Sequence, residues 1–270
     1  MSVDHPAAAM RVIEPFIALN AQAVQAGVLV LCDHASALIP HDLGDLGLAA
    51  DQRKAHVVWD IGAAKVSRIL SRWLNCPALL SGVSRLVVDC NRFPHDPSAM
   101  PEQSCTVPVP GNAGLTPAQR QNRLDRWFHP YHRVIDAQLA RMASPLVVSV
   151  HSFTPQIPGQ PARPWHIGVL WNRDQRLSQS LVTALQADPQ LVVGLNQPYS
   201  GQDINYTLDR HAGVTGLAHV SVEIRQDLLA DEYGCAEWGQ RLAQCLAPLA
   251  LRDDLRQPLA AAERLDQYLF

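Results

Sequence analysis

Six short runs in this chain are apolar almost without a break: Val28–Cys32, Ala78–Ser81, Arg85–Asp89, Leu146–His151, His166–Trp171 and Ala218–Ile224. Runs of that length cannot alternate buried and solvated faces, so they read as strands covered on both sides, the pattern of a largely parallel sheet. Longer stretches between them repeat apolar residues at helical spacing. Residues 51–74, 117–142, 177–186 and 237–246 are the expected helices. Strand and helix therefore alternate, which predicts one α/β domain, residues 1–270 with a core at about 26–250, built on a mainly parallel mixed sheet flanked by helices.

Composition narrows the function. Of 270 residues, 22 are basic and 25 acidic, a formal charge of −3. Such a balance lacks the clustered cationic excess that drives binding to nucleic acid or anionic lipid, and neither partner is expected. Apolar residues make up 47% and charged residues 17%, enough for a large core and too apolar for disorder. No stretch approaches the roughly 20 apolar residues of a membrane span, and the N-terminal MSVDHPAAAMRVIEPF has no signal-peptide pattern. Six cysteines without a CxxC pair fit reduced thiols in a cytoplasmic protein, with Cys32 and Cys90 as small core residues. The basic set is lopsided, since Lys54 and Lys65 are the only lysines.

In an open α/β sheet, ligands bind beyond the carboxyl ends of the strands, and here those ends are polar. They read Asp33-His34, Asp89-Cys90-Asn91-Arg92, His151-Ser152 and Glu223-Ile224-Arg225. A charge buried at the end of an apolar strand needs a partner, and a metal ion is one. His34 and His151 would lie side by side on neighbouring strands, and two histidines with one carboxylate are a common zinc set with an open position for water. Asp60 completes the set best. His56, four residues earlier on the same expected helix face, is an alternative, and satisfied core histidines remain the other reading. Glu223 interrupts a strand where an apolar residue belongs, which suits a general base beside a metal, or else an ion pair with Arg85 or Arg225. Arg85, Asn91 and Arg92 offer a planar fork and an amide for a carboxylate or oxyanion, with Asp89 fixing an arginine. Arg225 would hold an anion or pair with Asp227. No glycine-rich phosphate loop follows the first strand, which disfavours a nucleotide enzyme.

The segments CDHASALIP, HVVWDIGA, SRLVVDCNR, VSVHSFTP, RPWHIGVLW, NQPYSG with YTLDRH, and VEIRQDL together resemble the N-formylglutamate amidohydrolase family across residues 26–250. The resemblance implies a phosphorylase/hydrolase-like fold shared with zinc carboxypeptidases and the succinylglutamate desuccinylase and aspartoacylase group. It also implies zinc-assisted hydrolysis of a small anionic N-acyl amino acid, typically N-formyl-L-glutamate in histidine breakdown. His34 and His151 then resemble the histidine ligands, Glu223 the general base, Arg85 the oxyanion-stabilising arginine and Asn91-Arg92 the carboxylate-holding pair. The chain departs from the His-x-x-Glu ligand motif of those relatives, for Ala37 stands three residues after His34. The carboxylate ligand must come from elsewhere, with Asp60 ahead of His56 and Asp33. Tyr206, Thr207 and His211 fall in a family motif and are expected either at the substrate pocket or in packing. A non-catalytic anion-binding protein on the same fold is the alternative function. Two proline-dense stretches, residues 93–117 and 153–165, are expected to line the pocket.

Overall fold

The computed structural model describes residues 13–266. The first twelve residues, including most of the segment read for a signal peptide, lie outside the described residues. In chain order the strands are β1 (Phe16–Leu19), β2 (Val28–Cys32), β3 (Ala78–Ser81), β4 (Gln103–Ser104), β5 (Val107–Pro108), β6 (Leu146–Phe153), β7 (Ile167–Leu170), β8 (Val193–Leu195) and β9 (His219–Arg225). The α-helices are α1 (Ala63–Trp73), α2 (Pro117–Arg123), α3 (His129–Leu139), α4 (Arg176–Leu185), the single turn α5 (Tyr206–Leu208) and α6 (Glu232–Leu249).

Seven strands form one mixed sheet in the order β1-β3-β2-β6-β9-β7-β8. The central pairs β3·β2, β2·β6 and β6·β9 are parallel, whereas β1 runs against β3 and β7 against β9. Every residue of β2 is buried, as its unbroken apolar run requires. Val28, Val30 and Cys32 join the core under α1, α4 and α6, while Leu29 and Leu31 point to the opposite layer with Trp127, Phe128, Tyr131 and Ile135 around α3. The alternation follows from the two-residue period of a strand and places a full core on each face.

Three expectations need correction. Residues 85–89 are not a strand but a turn beyond the end of β3, so their apolar side chains Leu86, Val87 and Val88 bury in the α3-side core without joining the sheet. A buried loop and a buried strand share the same composition, and only backbone pairing separates them. The expected helix 51–74 begins only at Ala63. Its first half is a short 3-10 turn and loop, so His56 and Asp60 do not share a helix face. The 117–142 helix is interrupted by a π-helical segment, Leu124–Phe128, between α2 and α3. Edge strands β1 (FIAL) and β8 (VGL) are apolar but only four and three residues long, and the β4·β5 hairpin pairs two residues with two, too short for any of them to stand out in the sequence.

Chain direction fixes where a site can form. From β2 the chain crosses through α1 to β3 on one side, while β6 pairs with β2 on the other. The crevice at the carboxyl ends of β2 and β6 is therefore a topological switch point.

Candidate active site

His34 leaves β2 two residues past its end, and His151 lies within β6; the parallel register Leu31↔Ser149 sets their neighbouring levels. Their rings meet edge to face with centroids 5.0 Å apart. Asp60 arrives from the loop before α1, tied by its backbone N–H to the His34 carbonyl at 3.0 Å. That loop turns into α1 at Gly62, whose φ of +83° and whose approach to Leu229 exclude a side chain: a Cβ there would stand 2.4 Å from the Leu229 Cβ. Asp60 is thus delivered by a glycine turn rather than by a helix face.

Asp60 Oδ2 stands 3.2 Å from His34 Nδ1 and 2.9 Å from His151 Nδ1. The far nitrogen of each ring is also engaged. His34 Nε2 donates to Asp89 Oδ1 at 2.7 Å, and His151 Nε2 donates to the Ser149 hydroxyl at 2.9 Å. Ser149 in turn donates to Asp33 Oδ2 at 3.1 Å, and Tyr131 donates to Asp33 Oδ1 at 3.0 Å. With both Nε2 protons committed outward, neutral rings would turn two Nδ1 lone pairs and a carboxylate oxygen toward one another. Acceptors so placed repel unless a positive charge lies between them. Protonation is one answer: although burial and Arg85 oppose it, Asp89 and Asp60 hold the His34 pKa above its usual value, and Asp33 and Asp60 outweigh burial to raise that of His151. Against its own burial, Asp60 is held well below the carboxylate range by the two histidines. A divalent cation is the other answer, and the donor set fits it. The ligand atoms of His34, Asp60 and His151 lie within 4.8 Å of one another, and both histidines have the outer hydrogen-bond partners that orient metal-binding imidazoles.

Arg85 closes the opposite side. Its Nε and Nη2 donate to Asp89 Oδ2 at 3.1 and 2.7 Å, and its Nη1 reaches Asp60 Oδ1 at 3.4 Å. Asp89 therefore fixes both Arg85 and His34. Buried charges of this kind are costly singly, and the network offsets that cost because each has a partner. Glu223 is the exception. It lies across from His151 in the β6·β9 register, and its buried Oε2 has no hydrogen-bond partner. Burial pushes its pKa up to about 7, with Asp60 adding to the rise and His151, His34 and Arg85 opposing it.

These groups open on a cavity of about 280 Å³ lined by His34, Asp60, Arg85, Asn91, Arg92, His151 and Glu223, with His56, Tyr199 and Ser221 on its walls. Of the two proline-dense stretches, the first contributes Ser104 and Cys105 from the β4·β5 hairpin and the second Phe153 and Thr154; none of their prolines reaches the cavity. Among the described residues no hydrogen bond or ion pair holds the Arg92 side chain, although its charge acts on the nearby Asp89 and Asp96. Arg225 lies outside the lining. Its Nε donates to Asp227 at 2.8 Å, and its Nη1 approaches the carbonyls of Arg163 and Trp165 at 3.4 Å. Tyr206, Thr207 and His211 also lie outside it, in the layer behind Asn91. Cys32 and Cys90 are core residues whose thiols burial pushes well above their usual pKa. The outer layer of Tyr131, Ser149 and His132 was not read from the sequence, for a Ser inside an apolar strand or a Tyr-His pair at a helix start carries no local signal of its distant partner.

The N-formylglutamate amidohydrolase family model matches residues 26–230, and the chain belongs to that family. The family places it among the amide hydrolases. The crystal structure of gene product Atu2144 from Agrobacterium tumefaciens is similar at 38% identity and a TM-score of 0.84, over 88% of this chain and 95% of that one. Weaker similarity, at 17% identity and a TM-score of 0.40 over 87% of this chain and 67% of that one, runs to the succinylglutamate desuccinylase from Chromobacterium violaceum. The catalytic domain of the N-acetylmuramoyl-L-alanine amidase CwlV from Bacillus (Paenibacillus) polymyxa var. colistinus shows 15% identity and a TM-score of 0.39, over 82% of this chain and 97% of that one. No curated protein matches the chain. Among the described residues, no helix is long and apolar enough to cross a membrane.

Proposed function

We propose that the chain hydrolyses the amide bond of a small, carboxylate-bearing N-acyl amino acid, N-formyl-L-glutamate or a close analogue, with His34, Asp60 and His151 holding a divalent metal, zinc by preference. The observation that carries this reading is the buried Glu223 oxygen without a partner, placed in the same cavity as the His34–Asp60–His151 cluster. A bound divalent ion would supply Lewis acidity, polarising the scissile carbonyl and lowering the pKa of water toward ~7.

The remaining chemistry belongs to the chain's own groups. Glu223 takes a proton from the attacking water and returns it to the leaving nitrogen; a carboxyl poised near neutral pH can do both. Arg85, held by Asp89 and Asp60, keeps part of its guanidinium at the cavity and stabilises the negative charge that develops on the carbonyl oxygen. Arg92 receives the substrate carboxylate as a planar fork, with Asn91 beside it. Arg225 is given no part in binding, because Asp227 and two carbonyls occupy it.

A panel of N-formyl, N-acetyl and N-succinyl amino acids, each offered as the free acid and as the carboxamide, tests the reading. Hydrolysis confined to free acids is expected. Binding of the acids without turnover by the metal-loaded wild type would instead support the anion-binding alternative.

A further inference from the structure

The YTLDRH segment contributes no residue to the cavity lining, yet it holds one that does, Asn91. The Thr207 backbone N–H donates to Asn91 Oδ1 at 3.0 Å, and the Thr207 hydroxyl donates to the carbonyl of Cys90 at 3.1 Å. A backbone N–H can only donate, so the side-chain atom facing it must be the Asn91 oxygen. The amide is thereby locked with its Nδ2 hydrogens directed away from Thr207, and Asn91 lines the cavity. From the other side the Asn91 backbone N–H is bound by Asp89 Oδ1 at 2.9 Å.

A second support comes from α3. His132 Nε2 lies 3.0 Å from the same Cys90 carbonyl, His132 Nδ1 lies 2.8 Å from His211 Nε2, and His211 Nδ1 lies 2.7 Å from Asp136 Oδ1. Both ends of this row, a carbonyl and a carboxylate, only accept. The ring nitrogens facing them, His132 Nε2 and His211 Nδ1, are therefore the donors at the two ends of the row. His132 is left as a donor committed to Cys90.

We propose that Thr207 is a positioning residue of the substrate site, backed by His132: it orients Asn91 so that a hydrogen-bond donor, never an acceptor, meets the substrate carboxylate. This rests on the functional reading above, and it gives the site a sign. An amide free to flip could serve a cationic or neutral ligand equally well; a fixed one selects an anion.

The test compares Asn91→Asp, Asn91→Ala, Thr207→Val and Thr207→Ser, reading KM and kcat separately on the free-acid substrate. Asn91→Asp keeps the acceptor that Thr207 binds but turns the donor into a negative acceptor, so its KM should rise about tenfold or more and exceed that of Asn91→Ala. Thr207→Val keeps the backbone N–H that binds Asn91 and removes only the hydroxyl that pins that backbone to the Cys90 carbonyl, so KM should rise while kcat stays within about threefold, and Thr207→Ser, which keeps the hydroxyl, should restore it. An Asn91→Asp KM no higher than that of Asn91→Ala overturns the orientation, and this comparison stands even if Thr207→Val fails to fold. A wild-type KM in Thr207→Val overturns the positioning role. Absence of turnover by the metal-loaded wild type overturns the functional reading and this inference together, whereas wild-type turnover with unchanged variant KM values overturns this inference alone.

Discussion

His151 and Glu223 occupy opposed positions on the adjacent parallel strands β6 and β9 and so share one backbone ladder. Their spacing is set by sheet hydrogen bonds rather than by a loop, which under the proposed mechanism holds the base in a fixed relation to the metal site. Glu223→Gln preserves shape and removes the base. Turnover should fall by about 10²–10⁴-fold while substrate affinity changes little, as single-turnover rates and equilibrium binding would report.

Asp89 bonds to His34 Nε2, to Arg85 and to the Asn91 backbone. Asp89→Asn keeps an acceptor but loses the charge that orients the imidazole and balances the guanidinium. Metal affinity should drop by roughly 10–100-fold in a chelator competition, with a lower unfolding temperature from the uncompensated Arg85. Unchanged affinity would remove Asp89 from the account of the metal site.

Gly62 delivers Asp60 through a left-handed turn packed on Leu229. Gly62→Ala should cost about 1–2 kcal/mol from the backbone and about 1–3 kcal/mol from the clash, measured by denaturant unfolding. Bound metal should fall with it, since the turn sets the carboxylate.

Burial, followed by the neighbouring His211, holds the His132 pKa well below its usual 6.5. The unfolded chain therefore takes up a proton near pH 6.5 that the folded chain refuses, and stability falls as pH drops through that range. His132→Gln should lose less stability between pH 7.5 and 5.5 than the wild type in urea unfolding series; an equal slope would mean that the folded chain accepts the proton.

Much of the site was legible because ionisable residues at the ends of apolar strands have few structural excuses. His34, His151 and Glu223 stand at those ends, and the sheet brings them together. Asp60 was legible as a residue but not as a geometry, because a glycine turn and a helix start look alike until the approach of Leu229 to Gly62 is known. The buried turn at 85–89 imitates a strand in composition, since burial and not pairing is what its Leu-Val-Val run records. Thr207 was legible as part of the YTLDRH motif but not as the partner of Asn91, and His132 carried no signal of its partner Cys90, for these contacts join residues more than forty positions apart. The lopsided use of arginine also became specific. Arg85 is committed to two carboxylates and Arg225 to Asp227, while Arg92 lines the cavity, where the proposed function gives it the substrate carboxylate.

The proposed hydrolysis depends on one divalent metal held by His34, Asp60 and His151. Elemental analysis of the purified protein and of His151→Ala is to be run alongside hydrolysis of N-formyl-L-glutamate before and after chelation and metal return. This dependence predicts about one metal per wild-type chain, activity lost on chelation and restored by zinc, and neither metal nor activity in His151→Ala. Hydrolysis at an undiminished rate in a fully metal-free wild-type protein would contradict it.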